Sequence, residues 1–231
     1  DYFLSWGNKN INDKKIINLF NFKLPKIHKK KGTNKIVIVF RSLGYQTVPY
    51  DRWKEGKKEL LMMKSFLKNL DNNLKEYIHL RLHDSFHNRY KAFVKNYMAD
   101  ISDYKKDLGI IKYEKIVDDA RLVIFTYDST GFLENLVSNK PSLCLYPDIY
   151  NCLNDDCKKY YKNLKDKKII FDDPKEMNIH INNVWPNINQ WWNSNEVQNE
   201  IKIFLNIFSA SADKNPLRLI KKKIIEKIDY K

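Results

Sequence analysis

The sequence predicts an α/β protein built on a doubly wound parallel sheet, and three features of its 231 residues support this. Short apolar runs rich in branched residues recur along the chain. Segments of helical length separate them. The runs are apolar at consecutive positions, which is typical of strands covered by helices on both faces. This alternation favours parallel strands joined by crossover helices.

Five runs are predicted to be strands, at 36–41, 77–83, 120–127, 141–147 and 167–171. Helical periodicity predicts helices in EGKKELLMMKSFLKNL and RYKAFVKNYM, which follow the first two runs. Further helices are expected just after Asp172, where a capping residue and a proline occur, and from about Ser194 to Phe208.

The chain is predicted to have three parts. Residues 1–35 contain Gly, Pro and the basic run IHKKKG, and we interpret them as a connector from a missing N-terminal domain. Residues 36–212 would form the α/β domain. Residues 213–231 predict a basic amphipathic helix. Two interpretations of that helix stay open, since it could dock on anionic lipid or pack back across an interdomain cleft.

The formal net charge of +14 favours acidic partners such as phosphates, nucleic acid or an anionic membrane. Most of this charge is Lys, and Asn and Ile are also abundant, as an AT-rich genome would impose. The three cysteines, Cys144, Cys152 and Cys157, lack CxxC spacing and predict neither a disulfide framework nor a zinc site. No secretory signal or membrane span is visible. We therefore expect a cytoplasmic protein.

The most informative stretch is ARLVIFTYDSTGFLENLVSNKPSLCLYP. Ser129, Thr130 and Gly131 follow an apolar strand, and a helix begins at once. Such a turn offers unpaired backbone N–H groups and the positive end of a helix dipole, which together favour a phosphate. The alternative is ordinary helix capping. Glu134, one helical turn after Thr130, is a candidate to bind ribose hydroxyls or is simply a solvated glutamate.

Arg81 and His83 project to the same side near the carboxyl end of a predicted strand. Together they would complement a negatively charged ligand. In the other interpretation, Arg81 forms an ion pair at the edge of the core and His83 is a loop residue with satisfied hydrogen bonds. The nearby histidines lack accompanying carboxylate or thiolate ligands, so no metal is predicted.

The loop RSLGYQTVPYDRW is long for an α/β turn, and loops of this kind often carry function. Candidate contacts to an acceptor or to a donor sugar are Arg41, Ser42, Gly44 and Tyr45. Neither a P-loop nor a GxGxxG motif is present. The tryptophan cluster, Trp185, Trp191 and Trp192, is predicted to pack rather than to stack on sugars or single-stranded nucleic acid.

The order FLSWG, LRLHD, RLVIFTYDSTGFLENLVSNKPSLCLYPD and WWNSNEVQNEIKIFLNIF resembles surface-carbohydrate transferases of the leptospiral type, over nearly all of the chain. That family is similar to GT-B glycosyltransferases. The resemblance implies a Rossmann-like C-terminal half that binds a nucleotide sugar, linked to CMP or UDP. It also implies a lipopolysaccharide, capsule or glycolipid acceptor, reached from the inner face of the cytoplasmic membrane.

The resemblance also implies roles for individual residues. Ser129, Thr130 and Gly131 would hold the donor phosphate, Glu134 would contact ribose, and Arg81 with His83 would stabilise the leaving group. The base is expected in the missing domain, which would leave this chain inactive alone. Neither a cofactor nor a metal is expected.

The resemblance is incomplete in one loop. Ser85, Phe86 and His87 stand where an aromatic Gly-Trp pair is expected, so no role is assigned there. Two alternatives to a transferase remain, a nucleotide-sugar epimerase on the same fold and a basic nucleic-acid-binding module. The resemblance favours a nucleotide sugar as partner and no nucleic acid.

Overall fold

The computed structural model describes residues 2–7, 15–22, 33–40, 51–83, 103–147, 149–211 and 215–228. The strands among these residues form two sheets, and within each sheet all the strands are parallel. The small sheet pairs β1 (Phe3–Ser5) with β2 (Ile16–Asn18). The main sheet has six strands, β3 (Lys35–Val39), β4 (Ile78–Arg81), β5 (Lys105–Asp107), β6 (Ala120–Phe125), β7 (Ser142–Leu145) and β8 (Ile170–Phe171).

The helices follow the strands in alternation. They are α1 (Asp51–Lys68), α2 (Asn72–Lys75), α3 (Tyr113–Asp118), α4 (Thr130–Val137), α5 (Asp155–Asp166), α6 (Pro174–Val184), α7 (Ile188–Trp192), α8 (Asn195–Phe208) and α9 (Pro216–Ile228). Short 3₁₀ turns occupy Ile149–Cys152 and Trp185–Asn187. Ser194 caps α8, and Asp173 caps α6 with Pro174 in the first turn, as the sequence predicted.

The main sheet has the strand order β5-β4-β3-β6-β7-β8, and all its strands are parallel. Buried side chains of α1 and α6 cover one face, and those of α3, α4, α5 and α8 cover the other. This is the order and layering of a Rossmann-like, doubly wound fold, which confirms the predicted fold class. We call the edge at which the six strands end the carboxyl edge.

All five predicted strands are present, but three others were not predicted. β5 consists of Lys, Lys and Asp, and it lies at the edge of the main sheet, where charged strands are common. β1 and β2 lie within the segment interpreted as a connector. Four helices were also missed, α2, α3, α5 and α7. The helix predicted in RYKAFVKNYM lies outside the described residues.

Described residues near the two ends of the chain form one unit, which we call the terminal unit. It consists of residues 2–7 and 15–22, which contain β1 and β2, and of α9. Its small core contains Ile17, Leu19 and Phe20, with Leu219, Ile220 and Ile224 of α9 packed against them. The apolar stripe of α9 packs on this small core. Docking of α9 on anionic lipid or across an interdomain cleft stays a prediction. The three-part division of the chain stays a prediction.

The terminal unit is fastened to the end of α8. The N–H of Asn21 donates to the carbonyl of Ala210 at 2.9 Å, and its Nδ2 donates to Ser209 Oγ at 2.9 Å. Gly7 lies so close to α8 that an added Cβ would be 1.9 Å from the carbonyl oxygen of Ile207. Only glycine fits there without a backbone shift.

The direction of α8 places the terminal unit relative to the main sheet. α8 runs antiparallel to α5, as successive contacts along the two helices demonstrate. The contacts are Lys167 with Glu196, Asn163 with Glu200, and Tyr161 with Phe208. Because α5 begins at the carboxyl edge, α8 ends near it. The terminal unit therefore lies on the side of the carboxyl edge.

Candidate functional site

The crevice expected in a doubly wound sheet lies where the connections leave two adjacent strands in opposite directions. Here those strands are β3 and β6, and the N–H of Thr126 donates to the carbonyl of Val39 at their carboxyl ends, at 3.2 Å. The chain leaving β6 passes through residues 126–129 and begins α4 at once. The N-terminus of α4 thus lies beside the switch point.

Ser129 caps α4 with an extended backbone, at φ −131° and ψ 158°, and its Oγ accepts from the N–H of Phe132 at 3.2 Å. The Thr130 side chain is exposed. In the part of the chain that the structure describes, the backbone N–H groups of Thr130 and Gly131 have no acceptor. The first turn contains no acidic side chain. These two N–H groups and the helix dipole are available to an anion.

The capping interpretation is therefore correct for the Ser129 hydroxyl, which is engaged by its own helix. The phosphate interpretation stays a prediction, and the geometry restricts it mainly to the amides of the next two residues. Glu134 lies on α4 one turn further on and is partly buried. Its predicted contact with ribose is likewise untested by the geometry.

Tyr113, the first residue of α3, packs against the start of α4 and was not predicted as a site residue. Its Oη donates to Asn135 Oδ1 at 3.2 Å. Burial, and then the nearby Glu134 carboxylate, raise the pKa of Tyr113, so the phenol stays protonated. A Cβ added to Gly131 would lie 3.2 Å from both this Oη and Cε1 of Phe125. The absence of a side chain at Gly131 lets α3 and α4 approach closely.

Asp128 lies between the end of β6 and the cap of α4. It is exposed at the carboxyl edge, and its Oδ2 accepts a hydrogen bond from Tyr161 Oη of α5. Enough protein surrounds the carboxyl group that desolvation raises the pKa of Asp128, while the hydrogen bond from Tyr161 acts in the opposite direction. A carboxyl group with a raised pKa thus stands two residues before Thr130.

Arg81 points to the face of the sheet that α4 covers, since it is in register with Val39 and, through it, with Phe125. Two strand spacings, roughly 10 Å, separate β4 from β6. Arg81 forms an ion pair with Asp107 of β5, and these side chains are only 15% and 12% exposed. The structure therefore contains the ion pair of the second interpretation. The role of Arg81 in stabilising a leaving group stays a prediction. The Asp107 carboxylate partly compensates the charge that Arg81 would bring to that role.

The other predicted contacts are distributed around the same edge. His83 is exposed just after β4. Arg41, Ser42, Gly44 and Tyr45 lie outside the described residues, as do Ser85, Phe86 and His87. The described chain before that first loop ends at Phe40, whose N–H donates to the carbonyl of Arg81 at 2.9 Å. The predicted contacts of the loop stay predictions.

The opposite end of α4 is tied to α7 and α8. Asn139 has a left-handed backbone, at φ 53°, and its Oδ1 accepts from Trp192 Nε1 at 2.7 Å and from Gln198 Nε2 at 3.0 Å. Lys140 is buried, its Nζ donates to the carbonyl of Asp118 at 3.3 Å, and burial lowers its pKa to about 8. The NKP and WW–EVQ segments of the sequence therefore meet in space.

The tryptophans pack as predicted. Trp192 is buried in the core between the sheet and α8. Trp191 contacts the ring of His180 edge-on, at 4.6 Å between centroids. Trp185 lies under the guanidinium of Arg121 at 4.4 Å. None of these contacts needs a ligand.

The described ranges contain no group of three or more His, Cys, Asp or Glu side chains placed to hold a metal ion. None of their helices combines the length and the apolar character required to cross a membrane.

The fold and the site define a Rossmann-like α/β protein with an open helix N-terminus at its topological switch point. Residues 1–224 match the model of the LIC12162 family transferases, and the chain belongs to this family. Comparisons with curated proteins and with solved structures gave no match. Membership confirms the family that the sequence resembled and assigns the chain to a class of transferases.

Proposed function

We propose that this chain is the donor-binding part of a GT-B-type glycosyltransferase. It would move a sugar from a CMP- or UDP-linked donor to a surface-polysaccharide or lipopolysaccharide acceptor, in the cytoplasm at the inner face of the membrane. Membership of a transferase family supports group transfer. The observation that carries the proposal is the pair of N–H groups at Thr130 and Gly131, which lack acceptors in the described structure and lie beside the β3–β6 switch point.

In this proposal, an acceptor hydroxyl oxygen attacks the anomeric carbon while the bond from that carbon to the donor phosphate oxygen breaks. Negative charge develops on the departing phosphate. Donors fixed in advance stabilise such charge without reorganising. The amides of Thr130 and Gly131 and the α4 dipole would provide this, because Ser129 holds the first turn rigid. The base that takes the acceptor proton would belong to the other domain, as the resemblance implies.

The remaining predicted residues would have supporting roles. Glu134 would accept hydrogen bonds from ribose hydroxyls. His83, exposed at the same edge, would approach the departing phosphate. Arg81 would contribute less charge than an unpaired arginine, because Asp107 compensates it.

Nucleotide binding tests the donor site directly. We expect CMP or UDP to raise the thermal unfolding temperature, since a ligand at a hundred times its Kd adds about 2.7 kcal/mol of stability. Thr130→Asp should weaken nucleotide binding at least about tenfold, because it places a like charge beside the phosphate. The helix itself should tolerate the change, since an acidic residue in the first turn interacts favourably with the dipole.

Ser194→Asp is the matched control. Ser194 caps α8 at the opposite edge of the sheet, where Asp also serves as a cap, so this variant adds the same charge at another helix N-terminus. It should keep the full response to nucleotide. The proposal is contradicted if no common nucleotide shifts the unfolding temperature of the unsubstituted protein, or if Thr130→Asp responds as strongly.

A further inference from the structure

The loop between β5 and α3, residues 108–112, presents two adjacent isoleucines to solvent at the carboxyl edge. Ile110 is 76% exposed and Ile111 is 44% exposed. The loop begins at the carboxyl end of β5 and ends at Tyr113, which packs on the start of α4. It therefore borders the proposed donor site.

The loop has a defined conformation. Oδ1 of Asp107 accepts from the N–H groups of Ile110 and Ile111, at 3.3 Å and 3.2 Å, and the same carboxylate pairs with Arg81. Gly109 has φ 87°, a left-handed conformation that residues with a side chain rarely adopt. The backbone thus holds the two isoleucines outward. Keeping such side chains in water is unfavourable, so a contact surface is indicated.

Lysines flank the two isoleucines along the chain. Lys105 and Lys106 of β5 precede the loop, and Lys112 and Lys115 follow it; all four are exposed, as are the acids Asp103 and Glu114. Four positive charges against two negative ones make the chain on both sides of the loop basic, and the charge of Asp107 is compensated by Arg81. Apolar side chains flanked by basic residues are typical of contact with anionic lipid.

We propose that loop 108–112 inserts Ile110 and Ile111 into an anionic lipid surface, with the flanking lysines on the headgroups. A second copy of this chain would bring the same flanking lysines and would be repelled. The net charge of +14 adds a general attraction to the anionic surface. The carboxyl edge, and with it the N-terminus of α4, then faces the bilayer. This inference rests on the loop and not on the proposed donor site.

Vesicle sedimentation tests it. The protein should sediment with vesicles of phosphatidylcholine mixed with phosphatidylglycerol, far less with phosphatidylcholine alone, and less in high salt. The double variant Ile110→Ser with Ile111→Ser should lower the partition coefficient at least about tenfold. Both positions are exposed, so the variant should fold, which circular dichroism checks.

Two further variants distinguish the alternatives. Ile179→Ser on α6 removes an isoleucine that is 63% exposed in another element, and it should sediment like the unsubstituted protein. Leu217→Ser tests α9, on which Leu217 is exposed. The proposal is overturned if the double variant binds vesicles as well as the unsubstituted protein does. It is also overturned if Leu217→Ser loses binding while the double variant keeps it. Self-association abolished by the double variant would assign the loop to a second copy, and would overturn it too.

Discussion

The two ends of α4 differ in how they are used. At the C-terminal end, the Asn139 side chain accepts hydrogen bonds from Trp192 and Gln198, and Lys140 is buried behind it. At the N-terminal end, Thr130 is exposed, and two backbone N–H groups have no acceptor within the described ranges. One end is saturated with internal contacts and the other is open.

This difference assigns separate roles to the sequence segments at the two ends of α4. The NKP, WW and EVQ segments fix the orientation of α4 against α7 and α8. The short STG turn at the other end is then held in place and remains open to a ligand. A rigidly placed helix keeps its first amides oriented, which preorganised stabilisation of an anion requires. The NKP, WW and EVQ segments thus position the STG turn, which is proposed to bind the donor phosphate.

The largest effect is expected at the fixed end. Asn139→Ala should destabilise the fold by about 2 kcal/mol, since it removes the acceptor of two hydrogen bonds and leaves a side chain in a left-handed conformation. Thr130→Ala at the open end should change stability by less than about 0.5 kcal/mol. Urea denaturation measures both.

Asn139→Gly separates the two causes, because Gly accepts the positive φ but lacks the amide. It should lie between the unsubstituted protein and Asn139→Ala. Should Asn139→Ala prove as mild as Thr130→Ala, the contrast between the two ends would not hold.

The sequence predicted the fold wherever its signal was local. All five apolar runs became strands because apolar side chains covered on both faces leave a continuous pattern. β5 left no such pattern, since its residues are charged and its place depends on pairing with β4. β1 and β2 have only three residues each. Their position is fixed by Asn21 and Gly7, which contact the end of α8 near the other end of the chain.

The site was predictable to the same extent. Ser129, Thr130 and Gly131 could be proposed from the sequence because the strand, the turn and the helix start are consecutive, and the structure has these three elements in that order. Tyr113 and Tyr161 were missed, since each reaches the site from another helix, and no spacing in the sequence indicates that contact. The partner of Arg81 was missed for a related reason, because Asp107 belongs to the unpredicted β5.

A smaller effect is expected in how the stability of the fold near the C-terminal end of α4 depends on pH. His180 lies against Trp191, near the fixed end, and burial lowers its pKa from 6.5 to about 4. The unfolded chain therefore binds a proton below about pH 6.5 that the folded chain refuses until about pH 4. Stability is complete above this window and decreases as pH falls through it. Between pH 6.5 and 5 these pKa values imply a loss of about 1 to 2 kcal/mol, which solvent screening of the partly exposed ring brings to the lower end of this range.

His180→Phe should remove that part of the pH dependence. Urea denaturation of both proteins at several pH values measures it, and other titrating groups cancel in the comparison. Parallel pH profiles for the two proteins would mean that His180 has the same pKa in the folded and unfolded states and does not couple pH to stability.

The smallest effect concerns the charge beside the open end. Asp128→Asn keeps an acceptor for Tyr161 but removes a carboxylate two residues before Thr130. UDP should then bind about threefold more tightly above neutral pH, because a like charge near the phosphate is lost. The gain should shrink as pH falls, since the raised pKa of Asp128 means that its carboxyl group protonates early. Isothermal titration calorimetry measures both, with Tyr161→Phe, which raises that pKa further, as the control. Weaker binding by Asp128→Asn would instead show the carboxylate accepting a ligand hydroxyl.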